Sequence, residues 1–160
     1  MRCGEILGAD YAFANFPEVA TEAYPLTEMV AVIDDYIQRT DPAVLYVPHP
    51  GDVNQDHRRV FEAAAISTRQ WQPPCHVRRV LAYFSDAALL PGSILAANVG
   101  HRLTVGQVTI KMRAFEAYAS EHRPSPHPRS GVKIIDAMTA CGARWHAEYA
   151  EEFSLIWEAS

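Results

Sequence analysis

Cysteine is scarce in these 160 residues, and no long apolar run occurs. Cys3, Cys75 and Cys141 are odd in number, widely separated and without a Cys-x-x-Cys pair. That pattern argues against a disulfide framework or a zinc ribbon and points to reduced thiols in a cytoplasmic protein. No apolar stretch reaches the roughly 18 residues that a membrane-spanning helix needs, so no membrane span is expected. The N-terminus also lacks a signal-peptide pattern. Lys and Arg nowhere cluster, and the net charge is −5, so nucleic acid is not an expected partner. No Gly-x-Gly-x-x-Gly follows any strand-like run, which disfavours a dinucleotide-binding protein. Internal repeats, low-complexity tracts and linkers are absent, so residues 1–160 read as a single domain. What is plentiful is apolar side chain: 49% of residues are hydrophobic and 21% charged, enough for a buried core.

Along the chain, residues 1–8 read as the tail of a helix closed by Gly8. Tyr11–Phe16 reads as a short strand ending at Pro17, followed by a Glu18–Pro25 loop. Leu26, Met29, Val30, Ile33, Tyr36 and Ile37 recur at three- and four-residue steps and predict an amphipathic helix over 26–39. Asp41-Pro42 ends it. Val44–Val47 is β-branched and aromatic and reads as a buried strand, stopped by Pro48, Pro50 and Gly51. A helix from His57 to about Gln70 follows, with Asp56 as its cap and Val60, Phe61, Ala64, Ala65 and Thr68 facing inward. Trp71–Cys75 is a turn, Val77–Phe84 a strand and Ser85–Ile94 a loop. Ala97–Leu103 is a further strand, and Gly106–Ser120 a helix with Val108, Met112, Phe115 and Tyr118 inside. Arg123–Pro128, with three prolines, is an extended loop of fixed shape. Ser130 caps a helix to about Ala140, ended by Gly142. Phe153–Trp157 is a last strand, with a short helix as the alternative. Helix, short turn and buried strand repeat the rhythm of a parallel α/β sheet.

The stretch His49–His57 carries the candidate chemistry. Asp52, Asn54, Asp56 and His57 fall in a loop at the carboxyl end of a strand, where ligands bind in open α/β sheets. Two carboxylates, an amide and an imidazole suit a metal and its supporting shell; a capped turn of solvated polar residues is the plainer reading. His49 is either a wall of such a site or a residue bonded to backbone.

The run His49-Pro50-Gly51-Asp52-Val53-Asn54-Gln55-Asp56-His57-Arg58 resembles the second signature of the PIG-L/LmbE-like zinc-dependent N-deacetylases. Glu121–Ser130 resembles that family's late Arg-Pro-x-Pro-His-Pro-Arg-Ser segment, and Glu148–Phe153 its Tyr-Ala-Glu-x-Phe ending. The three stretches come in the family's order. The family also opens with a strand and a His-Pro-Asp-Asp motif, which supplies two zinc ligands and the general base. No His-Pro-Asp-Asp occurs in this sequence. The expectation is therefore a Rossmann-like three-layer α/β/α fold with a mostly parallel sheet. It lacks the family's first strand and helix, a single domain truncated at its N-terminus.

The resemblance implies removal of N-acetyl groups from amino sugars or sugar conjugates, with zinc as cofactor in the complete enzyme. It places a zinc ligand at His57. Asp52 and Asp56 become candidates to accept that ligand's other ring N–H, although Asp56 can equally be a cap and Asp52 an Asx-turn. Asn54 stands where some relatives carry a His that steadies an oxyanion; an amide can donate there but cannot exchange a proton. His127 either donates to an oxyanion or sugar hydroxyl or merely pins its loop. Arg123 and Arg129 either bind an anionic group of the substrate or form structural ion pairs. In some relatives the His matching His127 comes from a neighbouring subunit, so a homo-oligomer is also implied. With the base and two ligands missing, the isolated chain is expected to be inactive; a non-catalytic subunit or carbohydrate-binding remnant is the alternative.

Overall fold

The computed structural model describes residues 2–16, 23–69, 77–85, 89–93 and 97–159. In chain order the elements are α1 (Arg2–Leu7), α2 (Leu26–Thr40), β1 (Val44–Pro48), α3 (Gln55–Ser67), β2 (Arg79–Tyr83), β3 (Val99–Leu103), α4 (Val105–Glu116), α5 (Gly131–Arg144) and β4 (Tyr149–Glu158). A 3-10 turn covers Ala119–Glu121. The α/β class expected from the sequence holds. None of the described helices is long and apolar enough to cross a membrane.

The strand order is β1-β2-β4-β3. β1 pairs with β2 in parallel, Val44 opposite Arg79 and Pro48 opposite Tyr83. β2 pairs with β4 antiparallel, with a register shift between Val80 and Leu81. The expected mostly parallel sheet is thus mixed. The helix–strand rhythm counts elements but does not fix the direction in which a late strand joins, and mixed sheets are common. The contacts divide the chain into two compact units, residues 14–99 with 153–160, and residues 1–13 with 100–152.

In the first of these units the core follows from strand alternation, since successive side chains point to opposite faces. Val80 and Ala82 join Ile37, Val47, Ala64 and Val77 in one cluster. Leu81, between them, packs with Val99 and Phe153 in another. Leu81 is fully buried, so Leu81→Ala is expected to cost about 2–5 kcal/mol through lost burial and the cavity left behind. A urea midpoint shift checks it. The helix α2 ends where Asp41 turns left-handed (φ 44) and returns its N–H to Ile37 O, a conformation that Asp tolerates better than most residues. Pro42 follows and bars continuation. β1 is less buried than expected: Val44 and Tyr46 are exposed, while Val47 and Pro48 are buried. On α3 the buried residues are Ala63, Ala64 and Ser67 rather than Val60 and Ala65.

In the other unit α1 packs on α4. Thr104 and Gln107 form a reciprocal capping box at the start of α4, which satisfies two backbone donors that the first turn leaves unpaired. Val108 and Ala114 are its buried residues; Tyr118 is exposed. Ser130 caps α5, as expected, by accepting from Lys133 N–H. Gly142 does not end that helix; it is buried within it. The segment expected as a strand at Tyr11–Phe16 has no regular structure. The expected Trp71–Cys75 turn, Cys75 and His76 lie outside the described residues. Cys3 and Cys141 are free thiols.

Candidate functional site

Because β1 and β2 run parallel, both end on the same side of the sheet, and the segments that leave them meet there. His49 N–H donates to Tyr83 O at 3.0 Å, extending the strand pairing by one residue. Asp52 N–H then donates to His49 O at 3.0 Å, closing a tight turn through Pro50 and Gly51. The His49 ring, 6% exposed, lies 5.0 Å from that of Phe84. Its Nδ1 accepts Gly51 N–H at 3.0 Å. Of the two roles open to His49, the structure shows the backbone-bonded one. Burial pulls its pKa below the usual imidazole value, against an opposing pull from Asp52. Gly51 must be glycine: a Cβ there would lie 2.5 Å from Ser93 Oγ.

Asp52 is the centre of the arrangement. It is only 2% exposed. Its Oδ1 accepts Asn54 N–H at 2.8 Å, an Asx-turn. Its Oδ2 lies 2.8 Å from His57 Nδ1 and also accepts the hydroxyl of Ser85. Ser85 Oγ is itself 3.3 Å from His57 Nδ1. Burial pushes the Asp52 carboxyl up, but the bonds from Ser85, His57 and Asn54 together outweigh it and hold the group below the ordinary carboxylate range. A carboxylate only accepts, so His57 donates through Nδ1 and its Nε2 remains to ligate or to take a proton. Burial and the Asp52 charge raise the pKa of Tyr83.

The start of α3 differs from the expectation. Asn54, not Asp56, is the cap: its Oδ1 accepts Asp56 N–H at 2.8 Å. The helix begins at Gln55, one residue before the expected cap. Arg58 reaches back from the first turn, its Nη1 2.6 Å from Asp52 O and 2.8 Å from Val53 O. Thus the helix clamps the loop that carries Asp52. Asp52 is bonded to His57 through Oδ2. Ser85 is a member of the group that sequence reasoning missed. A serine one residue past Phe84 gives no signal until the parallel register of β1 and β2 is known.

The other candidates belong to the second unit. His127 Nδ1 accepts Arg129 N–H at 3.0 Å, and Arg129 is paired with Glu121. Arg123 Nη1 donates to Ser120 O at 2.6 Å and to His122 O at 2.9 Å. All three make these bonds within their own loop. Among the described residues no group of three or more His, Cys, Asp and Glu side chains is disposed to hold a metal ion. Zinc takes at least three protein ligands in a catalytic site. The described residues assemble no such set, so by themselves they do not fit it.

Residues 1–67 match the family model described as PIG-L: GlcNAc-PI de-N-acetylase. Over these residues the chain is similar to that family. The matched segment includes Asp52, Asn54, Asp56 and His57. No curated protein matches the sequence. Solved structures share the fold at low identity. The conserved protein TT1542 from Thermus thermophilus is 19% identical, with a TM-score of 0.78 over 99% of this chain and 71% of its own. The N,N'-diacetylchitobiose deacetylase of Pyrococcus horikoshii is 14% identical, with a TM-score of 0.72 over 97% of this chain. The A40926 pseudoaglycone deacetylase Dbv21 is 18% identical, with a TM-score of 0.70 over 99% of this chain. The chain spans 60% of the length of the Pyrococcus horikoshii deacetylase and 68% of Dbv21. Its α/β fold is accordingly the one on which these deacetylases are built.

Proposed function

We propose that this chain is a domain of the N-deacetylase type, directed at N-acetylated amino sugars or their conjugates, that contributes one metal-ligand position, His57 Nε2. The observation that carries this reading is the 2.8 Å bond between His57 Nδ1 and the buried Asp52 carboxylate. A ligating imidazole is oriented and made more basic by a bond of that kind. The fold shared with solved deacetylases and the family match over residues 1–67 support it. In this reading Asn54 is a donor for an oxyanion; taken by itself, the loop of Arg123, His127 and Arg129 is a candidate to grip polar groups of a substrate. Asp56 stands beside His57 at the start of α3. The protein is cytoplasmic, consistent with its scattered thiols.

One ligand does not hold zinc, and no general base of the His-Pro-Asp-Asp kind is present in the sequence. No hydrolytic step is therefore assigned to this chain alone. Elemental analysis of the purified chain, with an acetate-release assay on N-acetylglucosamine, tests this. The expected result is far less than one zinc per chain and no acetate. Added zinc should shift the His57 ring signals in an NMR spectrum and leave the rest of a His57→Ala variant's spectrum unmoved. Stoichiometric zinc together with acetate release would overturn the inactivity of the isolated chain. Zinc that leaves the His57 signals in place would overturn the ligand reading.

A further inference from the structure

We propose that Ser85 is a positioning residue for His57, acting through Asp52. By donating to Asp52 Oδ2, it locks the neutral imidazole in the tautomer that carries its proton on Nδ1 and leaves Nε2 bare. Its use, to present Nε2 to a metal or a proton, rests on the reading of His57 given above; the tautomer itself does not.

Asp52 accepts at both oxygens: Asn54 N–H on Oδ1 and the Ser85 hydroxyl on Oδ2. With its hydrogen turned to Asp52, Ser85 presents a lone pair to His57 Nδ1, 3.3 Å away. His57 Nδ1 thus faces two oxygens, Asp52 Oδ2 at 2.8 Å and Ser85 Oγ at 3.3 Å. A proton on Nδ1 is attracted by both, whereas a bare Nδ1 meets lone pairs on both sides. Without Ser85, the Asn54 N–H on Oδ1 is the one donor outside the imidazole left, among the bonds described, to restrain rotation of the carboxylate. Ser85 also comes from the end of β2 and Asp52 from the loop after β1, so the bond fixes the carboxylate across two strands.

The two other histidines of known Nδ1 geometry provide internal controls. His49 and His127 each accept a backbone N–H on Nδ1, so when neutral they carry the proton on Nε2. Long-range proton–nitrogen correlation spectra of a 15N-histidine-labelled chain distinguish the two forms at a pH well above the ordinary imidazole pKa of about 6.5. In the wild type His57 should show a protonated Nδ1, opposite to His49 and His127. In Ser85→Ala the Nδ1-protonated fraction of His57 should fall at least about twofold, while His49 and His127 keep their form. Ser85→Thr retains the hydroxyl and should restore the wild-type signal; Ser85→Cys, a weaker donor, should fall between. A wild-type His57 protonated on Nε2 overturns the proposal even if no variant folds. So does a folded Ser85→Ala whose His57 signals match the wild type. Neither result bears on zinc retention or acetate release, so the two readings fail separately.

Discussion

Asp52→Ala is expected to destabilise the fold by about 3 kcal/mol, the scale of removing one partner from a buried, hydrogen-bonded charge. The alanine leaves three donors without an acceptor: Asn54 N–H, the Ser85 hydroxyl and His57 Nδ1–H. Each buried donor so stranded costs about 1–3 kcal/mol, with water entering at the partly exposed His57 edge reducing the sum. Asp52→Asn should cost less, because an amide oxygen still accepts one of the bonds. Chemical unfolding at neutral pH gives both values, and a loss under about 1 kcal/mol for the alanine would contradict the role given to Asp52. The pH dependence has a definite sign. The folded-state carboxyl lies below the ordinary value, so the unfolded chain binds the proton more readily. The stabilisation is therefore complete above the unfolded carboxyl pKa of about 3.9 and is lost as pH falls through the lower folded value. Asp52→Ala should flatten the acid limb of the stability curve and leave the alkaline limb alone.

Local sequence was enough for features that depend on neighbours along the chain. The three- and four-residue spacing from Leu26 to Ile37 gave α2 to within a residue, and Ser130 was recognisable as a cap because capping needs only the next turn. The His49–His57 stretch could be picked out because strand, breaker and helix start lie within a few residues of one another. Choosing between Asn54 and Asp56 as the cap was harder. Both are good caps, and the choice depends on Asp52 turning the chain first, which places Asn54 Oδ1 at Asp56 N–H. Features that need a second segment were not readable. Ser85 matters only because Tyr83 and Pro48 are in register. The antiparallel entry of β4 against β2 depends on how the chain returns, which no local pattern encodes.

The same limit explains Gly142, whose position near the end of α5 looked like a terminator. A terminating glycine is needed for a left-handed turn, but this one stays helical and is buried. Its small size is what the packing uses. A Cβ at Gly142 would lie 2.5 Å from Glu148 O and 2.7 Å from Ala147 O. Both are backbone atoms of the turn that follows α5, and that turn is tied back by Ala147 N–H to Gly142 O at 2.9 Å. Gly142→Ala gains about 1 kcal/mol of helix propensity. Against this, forcing a methyl into a filled site costs roughly 1–3 kcal/mol when side chains can adjust, and here backbone must move. The upper end of that range applies, so the net loss is expected near 2 kcal/mol, or roughly a 5 °C fall in melting temperature for a chain of this size. Gly106→Ala is the matched control in α4. Its nearest neighbour would be Thr104 Oγ1 at 3.9 Å, so the propensity gain stands unopposed and the melting temperature should hold or rise slightly. If Gly142→Ala melts no lower than Gly106→Ala, close backbone approach is not the reason α5 carries a glycine two residues before its end.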